Sequence, residues 1–187
     1  MGDYLRPSAL ADALAALDRG SPTVLAGGTD LYPARVGRPF AEDVLDITGI
    51  PDLGGIALEG GWLRIGALAN WSDLVHAPLP AWLDGFRKAG RDVGGIQIQN
   101  AGTIVGNLCN ASPAADGIPN LLALDAEVEL ASAHGRRRVP VGEFVLGNRR
   151  TLRRPDELVT ALLIPEPGPG ARSSFEKLGA RRYLVIS

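Results

Sequence analysis

A single cysteine, Cys109, stands in the 187-residue sequence. That scarcity excludes an internal disulfide and any cysteine-rich zinc or iron–sulfur centre within this chain. Histidine is nearly as scarce, with two residues. His76 reads as lying in a helix start and His134 in a hairpin turn, and nothing brings either near Cys109, so a thiol nucleophile lacks its base and a buried, inert thiol is the plainer reading. There is no excess of positive charge either. Nineteen Lys and Arg face twenty-one Asp and Glu, a net of −2, which argues against a general nucleic-acid binder. The local arginine clusters Arg136–Arg138 and Arg149–Arg154 read as solvated faces or turns. No apolar run reaches the roughly 18 residues of a membrane span. The opening MGDYLRPSALADAL lacks the basic-then-apolar order of a signal peptide. A cytoplasmic protein is expected, and the glycosylation patterns at Asn70 and Asn110 are then coincidental. Neither G-x-G-x-x-G nor the G-x-x-x-x-G-K-[ST] phosphate loop is present.

What the chain does have is glycine, 24 residues, about twice the usual share. They sit at abrupt junctions between apolar runs, where a glycine permits positive φ or lets backbone approach backbone or a ligand. The periodicity predicts a first helix with Ser8 as N-cap, Leu10, Leu14 and Leu17 inward and Gly20 as its stop. A short buried strand, Thr23–Ala26, ends in Gly27-Gly28. Thr29-Asp30 then offers a cap for a helix over Leu31–Val36, and a strand follows over Val44–Ile47. This α-β-α-β order favours parallel pairing. From Ile56 the pattern changes to a hairpin, 55–59 and 62–66 around Gly60-Gly61. Short helices are expected near Asn70 or Ser72, over Pro80–Lys88 and over Pro119–Leu124. Strands are expected over Asp125–Ala133, Arg136–Val141, Leu158–Ile164 and Ser173–Leu178. The sequence therefore divides into a small βα lobe over 1–55 and a larger, mostly antiparallel α+β lobe over 56–187. It stops inside an apolar run, Leu184–Ser187, so a further subdomain is expected beyond residue 187.

Two stretches carry candidate chemistry. In VLAGGTDL, Val24–Leu31, a strand runs through two glycines toward a helix start. Such a turn leaves backbone N–H groups convergent and unpaired, suited to a phosphate or pyrophosphate. In GTIVGNLCNASPAAD, Gly102–Asp116, two glycines and the small polar residues Thr103, Asn107, Asn110 and Ser112 suit a loop laid against a ligand. The plainer alternative is a tightly wound loop whose polar groups satisfy only its own backbone. Lys177, Arg181 and Arg182 form a basic group near the end that suits either a phosphate or solvent.

Together these stretches make the sequence resemble the FAD-binding subunit of the molybdenum-containing hydroxylases, the family of xanthine dehydrogenase and carbon monoxide dehydrogenase. The likeness extends to Leu5-Arg6-Pro7, Leu63–Ala67, Phe144, Leu152–Leu158, Ile164-Pro165 and Lys177–Arg182. It implies the two-lobed α+β FAD-binding fold shared with the vanillyl-alcohol oxidase (PCMH-type) group. It also implies cofactor contacts. The FAD pyrophosphate falls on Ala26, Gly27, Gly28, Thr29 and Asp30, flanked by Leu25 and Leu31. The second glycine loop maps onto Gly102, Thr103, Gly106 and Asn107, with Ile98 before it and Cys109, Asn110 and Ser112 after it. Asp116 matches an acid that contacts FAD, and Lys177 a lysine near the flavin. The family's usual T-I-G-G-N is here Thr103-Ile104-Val105-Gly106-Asn107. A β-branched residue is strained at positive φ, so Val105 is expected in a β-like conformation or in an altered loop.

The resemblance further implies partners. An iron–sulfur subunit and a large molybdenum subunit complete a hetero-oligomer. Substrate is hydroxylated at the molybdenum cofactor, and electrons pass through [2Fe-2S] clusters to FAD and on to NAD, oxygen or another acceptor. No catalytic acid–base residue and no metal ligand is assigned to this chain. Two alternatives stand beside this reading: a free-standing flavin-dependent oxidase of the same fold group, and a non-catalytic nucleotide-binding module.

Overall fold

The computed structural model describes residues 2–38 and 40–178. Arg181, Arg182 and the apolar run Leu184–Ser187 lie outside the described residues. The first strand, β1 (Tyr4–Leu5), leads to helix α1 (Leu10–Arg19), which buries Ala13, Ala16 and Leu17. The expected cap differs: Ala9 holds the N-cap position and no side chain closes the helix end. Burial of the apolar stripe, worth roughly 1.5–3 kcal/mol per large side chain, holds this helix instead. β2 (Thr23–Leu25) and β3 (Val44–Asp46) follow, and β3 pairs in parallel with both β1 and β2. The parallel pairing read from the sequence is correct, and β1 is an added strand too short to leave a pattern.

Asp46, opposite Leu25 in the register, ties this sheet together. Its carboxylate accepts from the Tyr4 hydroxyl, from the Thr48 hydroxyl at 2.6 Å and amide at 2.8 Å, and faces the Arg6 guanidinium at 3.2 Å. Burial works against its charge, but these donors outweigh it and hold Asp46 below the usual carboxylate range. The same hydrogen bond pushes the Tyr4 hydroxyl up.

The second sheet is antiparallel throughout, in the order β4-β5-β10-β6-β7. Its hairpin β4 (Ile56–Glu59) and β5 (Trp62–Gly66) turns at Gly60-Gly61, where both φ values are positive, +57° and +79°. That pair of left-handed residues is the turn that matches strand twist. Between β5 and β6 lie α2 (Trp71–His76), α3 (Asp84–Arg91), α4 (Ile96–Ala101), α5 (Ile104–Asn110) and α6 (Gly117–Ala123). β6 (Glu127–Ser132) and β7 (Gly135–Pro140) form the next hairpin. A single turn α7 (Val141–Phe144) and a small hairpin, β8 (Val145–Gly147) with β9 (Arg150–Thr151), precede β10 (Leu158–Pro165). β10 is central, buried along Leu158–Ile164, and its apolar run reads accordingly. One core cluster runs from Leu17 and Leu45 beside the parallel sheet to Ile65, Leu130 and Leu162 in the antiparallel one, with α1 packed on β6.

Three sequence expectations change. His76 ends α2 rather than beginning it. Residues Ser173–Leu178 form no strand; Ser173 Oγ accepts from the Gly85 amide at 2.9 Å, and Glu176 pairs with Lys88 at 2.6 Å. The third change falls on Leu31–Val36, taken up with the site. Among the described residues no helix is long and apolar enough to cross a membrane.

Candidate functional site

β2 ends at buried Leu25, and the chain turns sharply. Gly28 lies at φ +70°, its carbonyl accepts from the Tyr32 amide at 3.0 Å, and the Asp30 carbonyl accepts from the Ala34 amide at 3.2 Å. The helix expected over Leu31–Val36 is only a single 3₁₀ turn, Pro33–Arg35, without a side-chain cap. Pro33 contributes no amide to a longer ladder, and Gly37 at φ +74° ends the segment. Six successive amides, those of Ala26 to Leu31, find no hydrogen-bond acceptor among the described residues. A run of convergent, unpaired N–H groups is an anion-binding concavity.

The second wall comes from α4, Gly102 and α5. The sequence placed a loop here. Instead Thr103 caps a seven-residue helix, its hydroxyl accepting from the Gly106 amide at 2.9 Å. Trp71 N–H donates to the Gly102 carbonyl at 3.2 Å and Ile104 N–H to the Ala69 carbonyl at 3.1 Å, which pins the start of α5 to the start of α2. Val105 is neither β-like nor strained: it is helical and buried, and it is not among the positive-φ residues. A helical position asks for no glycine, so valine replaces the family's residue without conformational cost. Thr103→Ala is expected to lower stability by about 1 kcal/mol, with Thr103→Ser close to wild type, as read by urea unfolding.

The two glycine segments meet. A Cβ on Gly27 would penetrate the Ala101 carbonyl, and one on Gly102 would lie 2.9 Å from Ile98 O and 3.1 Å from Thr29 Oγ1. Gly27 is therefore glycine because backbone packs on backbone at this seam. Gly28 differs: its positive φ is the constraint, together with the Tyr32 ring, 2.5 Å from where its Cβ would be.

Seam and walls enclose a cavity of about 590 Å³. Leu25, Ala26, Gly27, Gly28, Thr29, Asp30, Leu31, Ile98, Gly102, Thr103, Gly106, Asn107, Cys109 and Asn110 all line it. Ser112, Asp116 and Lys177 do not. Ser112 Oγ accepts from the Ala114 amide at 3.3 Å, and Asp116 and Lys177 form an ion pair at 2.7 Å with side chains only 13% and 9% exposed. Sequence reasoning missed Trp71, Val105, Leu158 and Val159 on the apolar wall, and Arg149 and Arg153, which line the cavity instead of facing only solvent. The arginine cluster and the β10 run were the available signals.

Cys109 has neither histidine among its cavity neighbours. His134 pairs with Asp18 at 2.9 Å, and His76 Nδ1 lies 2.7 Å from the Ser72 carbonyl oxygen. Burial pushes the Cys109 thiol up to about 11, against the opposing charge of Arg153. A thiol in that state is neutral and unreactive near pH 7. Asn107 Oδ1 is buried with no donor among the described residues, whereas Asn110 Oδ1 accepts from Arg149 at 2.5 Å. The arrangement offers backbone donors, two guanidinium groups and an apolar wall. It suits a bound anion joined to a flat apolar group and supplies no acid–base pair.

Residues 1–167 match the family described as the FAD binding domain in molybdopterin dehydrogenase. The chain is 34% identical over 193 residues to the nicotinate dehydrogenase FAD-subunit of Eubacterium barkeri, covering 99% of this chain and 65% of that protein. It is 34% identical over 189 residues to a putative xanthine dehydrogenase FAD-binding subunit of Escherichia coli, covering 98% of this chain and 65% of that protein. Among solved structures, a carbon monoxide dehydrogenase from Hydrogenophaga pseudoflava superposes with a TM-score of 0.88 at 32% identity, covering 96% of this chain and 64% of that one. The chain thus spans just under two thirds of the length of these relatives. With a matching family over most of its length and an α+β fold shared with these subunits, the chain belongs to the FAD-binding domains of the molybdopterin dehydrogenases.

Proposed function

We propose that the cavity is the FAD site and that the chain acts as the flavoprotein part of a molybdenum-containing dehydrogenase. The observation that carries this reading is the run of unpaired amides from Ala26 to Leu31, facing a cavity closed by the Gly102 segment. The donor set fits the cofactor: N–H groups for the pyrophosphate, and Leu158, Val159 and Trp71 for an aromatic ring system. FAD, when bound, supplies the redox chemistry. The chain's residues bind and orient it. The amides of Ala26–Leu31 hold the pyrophosphate, Leu25 and Ile98 flank it, and Gly102, Thr103, Gly106 and Asn107 form the facing wall. Cys109 and Asn110 extend the wall. Ser112, Asp116 and Lys177 continue it beyond the cavity, where the ion pair presents a neutral surface.

Support for the wider assignment comes from the relatives, named as FAD subunits of dehydrogenases. In this reading an iron–sulfur subunit and a large molybdenum subunit complete the complex, with NAD, oxygen or another compound as acceptor, in the cytoplasm. The smaller, parallel-sheet part over 1–55 and the larger part over 56–187 act as the two sides of the cofactor cleft.

The test is direct. The purified chain is incubated with FAD or FMN, desalted, and its visible spectrum and released cofactor are measured, the latter by mass. Retention of FAD in preference to FMN is expected. Retention of FMN, or of no flavin, contradicts the assignment.

A further inference from the structure

We propose that Arg153 is the charge-bearing contact for the phosphate-bearing half of the nucleotide, an inference that rests on the FAD reading above. Arg153 lines the cavity. Its Nη1 donates to the Glu157 carbonyl at 2.7 Å and to the Arg154 carbonyl at 3.2 Å, so the guanidinium is oriented before any ligand arrives. Nε and Nη2 have no acceptor among the described residues, and no carboxylate there pairs with it. The one carboxylate lining the cavity, Asp30, belongs to an exposed residue. Arg149, the other cavity arginine, is partly spent on Asn110.

The support beneath Arg153 is unusually firm for a loop. Glu157, 3% exposed, takes two bonds from Arg137, at 2.6 and 2.9 Å, and one from the Arg154 amide at 2.8 Å. These bonds fix residues 153–157 against β7. The amide turn provides dipoles but no net charge, so it leaves the ligand's negative charge uncompensated. A guanidinium with two nitrogens free to donate, held in place and partly screened from solvent, supplies that compensation. Arg153 is thus a positioning and affinity residue for the phosphate charge, with no part in electron transfer.

The test uses ADP, which carries the pyrophosphate and no flavin, titrated calorimetrically into the full 187-residue chain freed of nucleotide. Arg153→Gln is expected to weaken ADP binding about ten-fold, and Arg153→Lys to recover most of the loss. Wild-type affinity for ADP is expected to fall between about 50 mM and about 500 mM salt, as screening requires. Equal ADP affinity of wild type and Arg153→Gln overturns the proposal, as does an Arg153→Lys variant as weak as Arg153→Gln. If Arg153→Gln does not fold, the salt titration decides, since a salt-independent wild-type affinity overturns it too. Wild type that binds neither ADP nor FAD refutes the FAD reading itself. Wild type that binds both while Arg153→Gln is unaffected refutes only the role of Arg153.

Discussion

Gly27→Ala is expected to destabilise the chain by about 3 kcal/mol and to abolish FAD retention. The added Cβ would occupy the space of the Ala101 carbonyl and come within 3.0 Å of Gly102 Cα. Both obstacles are backbone, which cannot swing aside as a side chain does. Overpacking typically costs 1–3 kcal/mol, occasionally more, when the surroundings can shift; here the shift must separate the two segments that wall the cavity. The control is Gly28→Ala. That residue has φ +70°, so alanine costs about 1–2 kcal/mol for the left-handed conformation, but the nearest obstruction is the Tyr32 ring. Gly27→Ala should therefore be the more damaging, although Gly27 is not among the positive-φ residues. Equal urea midpoints for Gly27→Ala and wild type would show that the seam is not tightly closed.

Arg137→Ala should be nearly as costly, about 3 kcal/mol, because it leaves the Glu157 carboxylate buried without its partner. The pair also sets a pH dependence. The Arg137 hydrogen bonds are the chief cause holding Glu157 below its ordinary value of 4.5, with the Arg154 amide helping against burial. A carboxyl depressed on folding stabilises fully above its unfolded pKa and loses that contribution as pH falls through its folded pKa. Wild-type stability should therefore decline below about pH 4.5, with Asp46 declining in the same direction. In Arg137→Ala the Glu157 share of that decline should shrink or reverse, since burial alone favours the protonated acid. Urea unfolding of both proteins at neutral pH and at several acidic pH values measures this. Parallel pH curves for the two proteins would contradict the role assigned to Glu157.

Much of this fold was legible in the sequence, and the failures have physical causes. Alternation gave β5 and β6, each with one face on the core, and the Gly60-Gly61 turn signalled the more exposed partner strand β4. The apolar run of Leu158–Ile164 signalled a strand buried on both faces. α5 was not legible: Gly106 and Asn107 are poor helix formers, and the helix depends on burial of Ile104, Val105 and Leu108 and on the Thr103 cap. Its polar residues therefore looked like a loop. The Gly27-Gly28 turn was read correctly as a place of unpaired amides, but the reasons for its two glycines differ, backbone contact at one and positive φ at the other. The pairing of Asp116 with Lys177 joins residues far apart in the chain, which spacing cannot reveal. Arg153 was hidden in a cluster that reads as solvated, because only the folded loop directs two of its members, Arg149 and Arg153, to a cavity.

The central claim is that the amides of Ala26–Leu31 receive a pyrophosphate. Amide nitrogen–proton correlation spectra of the labelled chain, recorded during titration with ADP, test it most directly. Saturable shifts concentrated on Gly27, Gly28, Thr29 and Asp30, with smaller ones at Gly102 and Gly106, are the predicted result. ADP that saturates the protein without moving those four amides, or that moves signals only elsewhere on the surface, would contradict it.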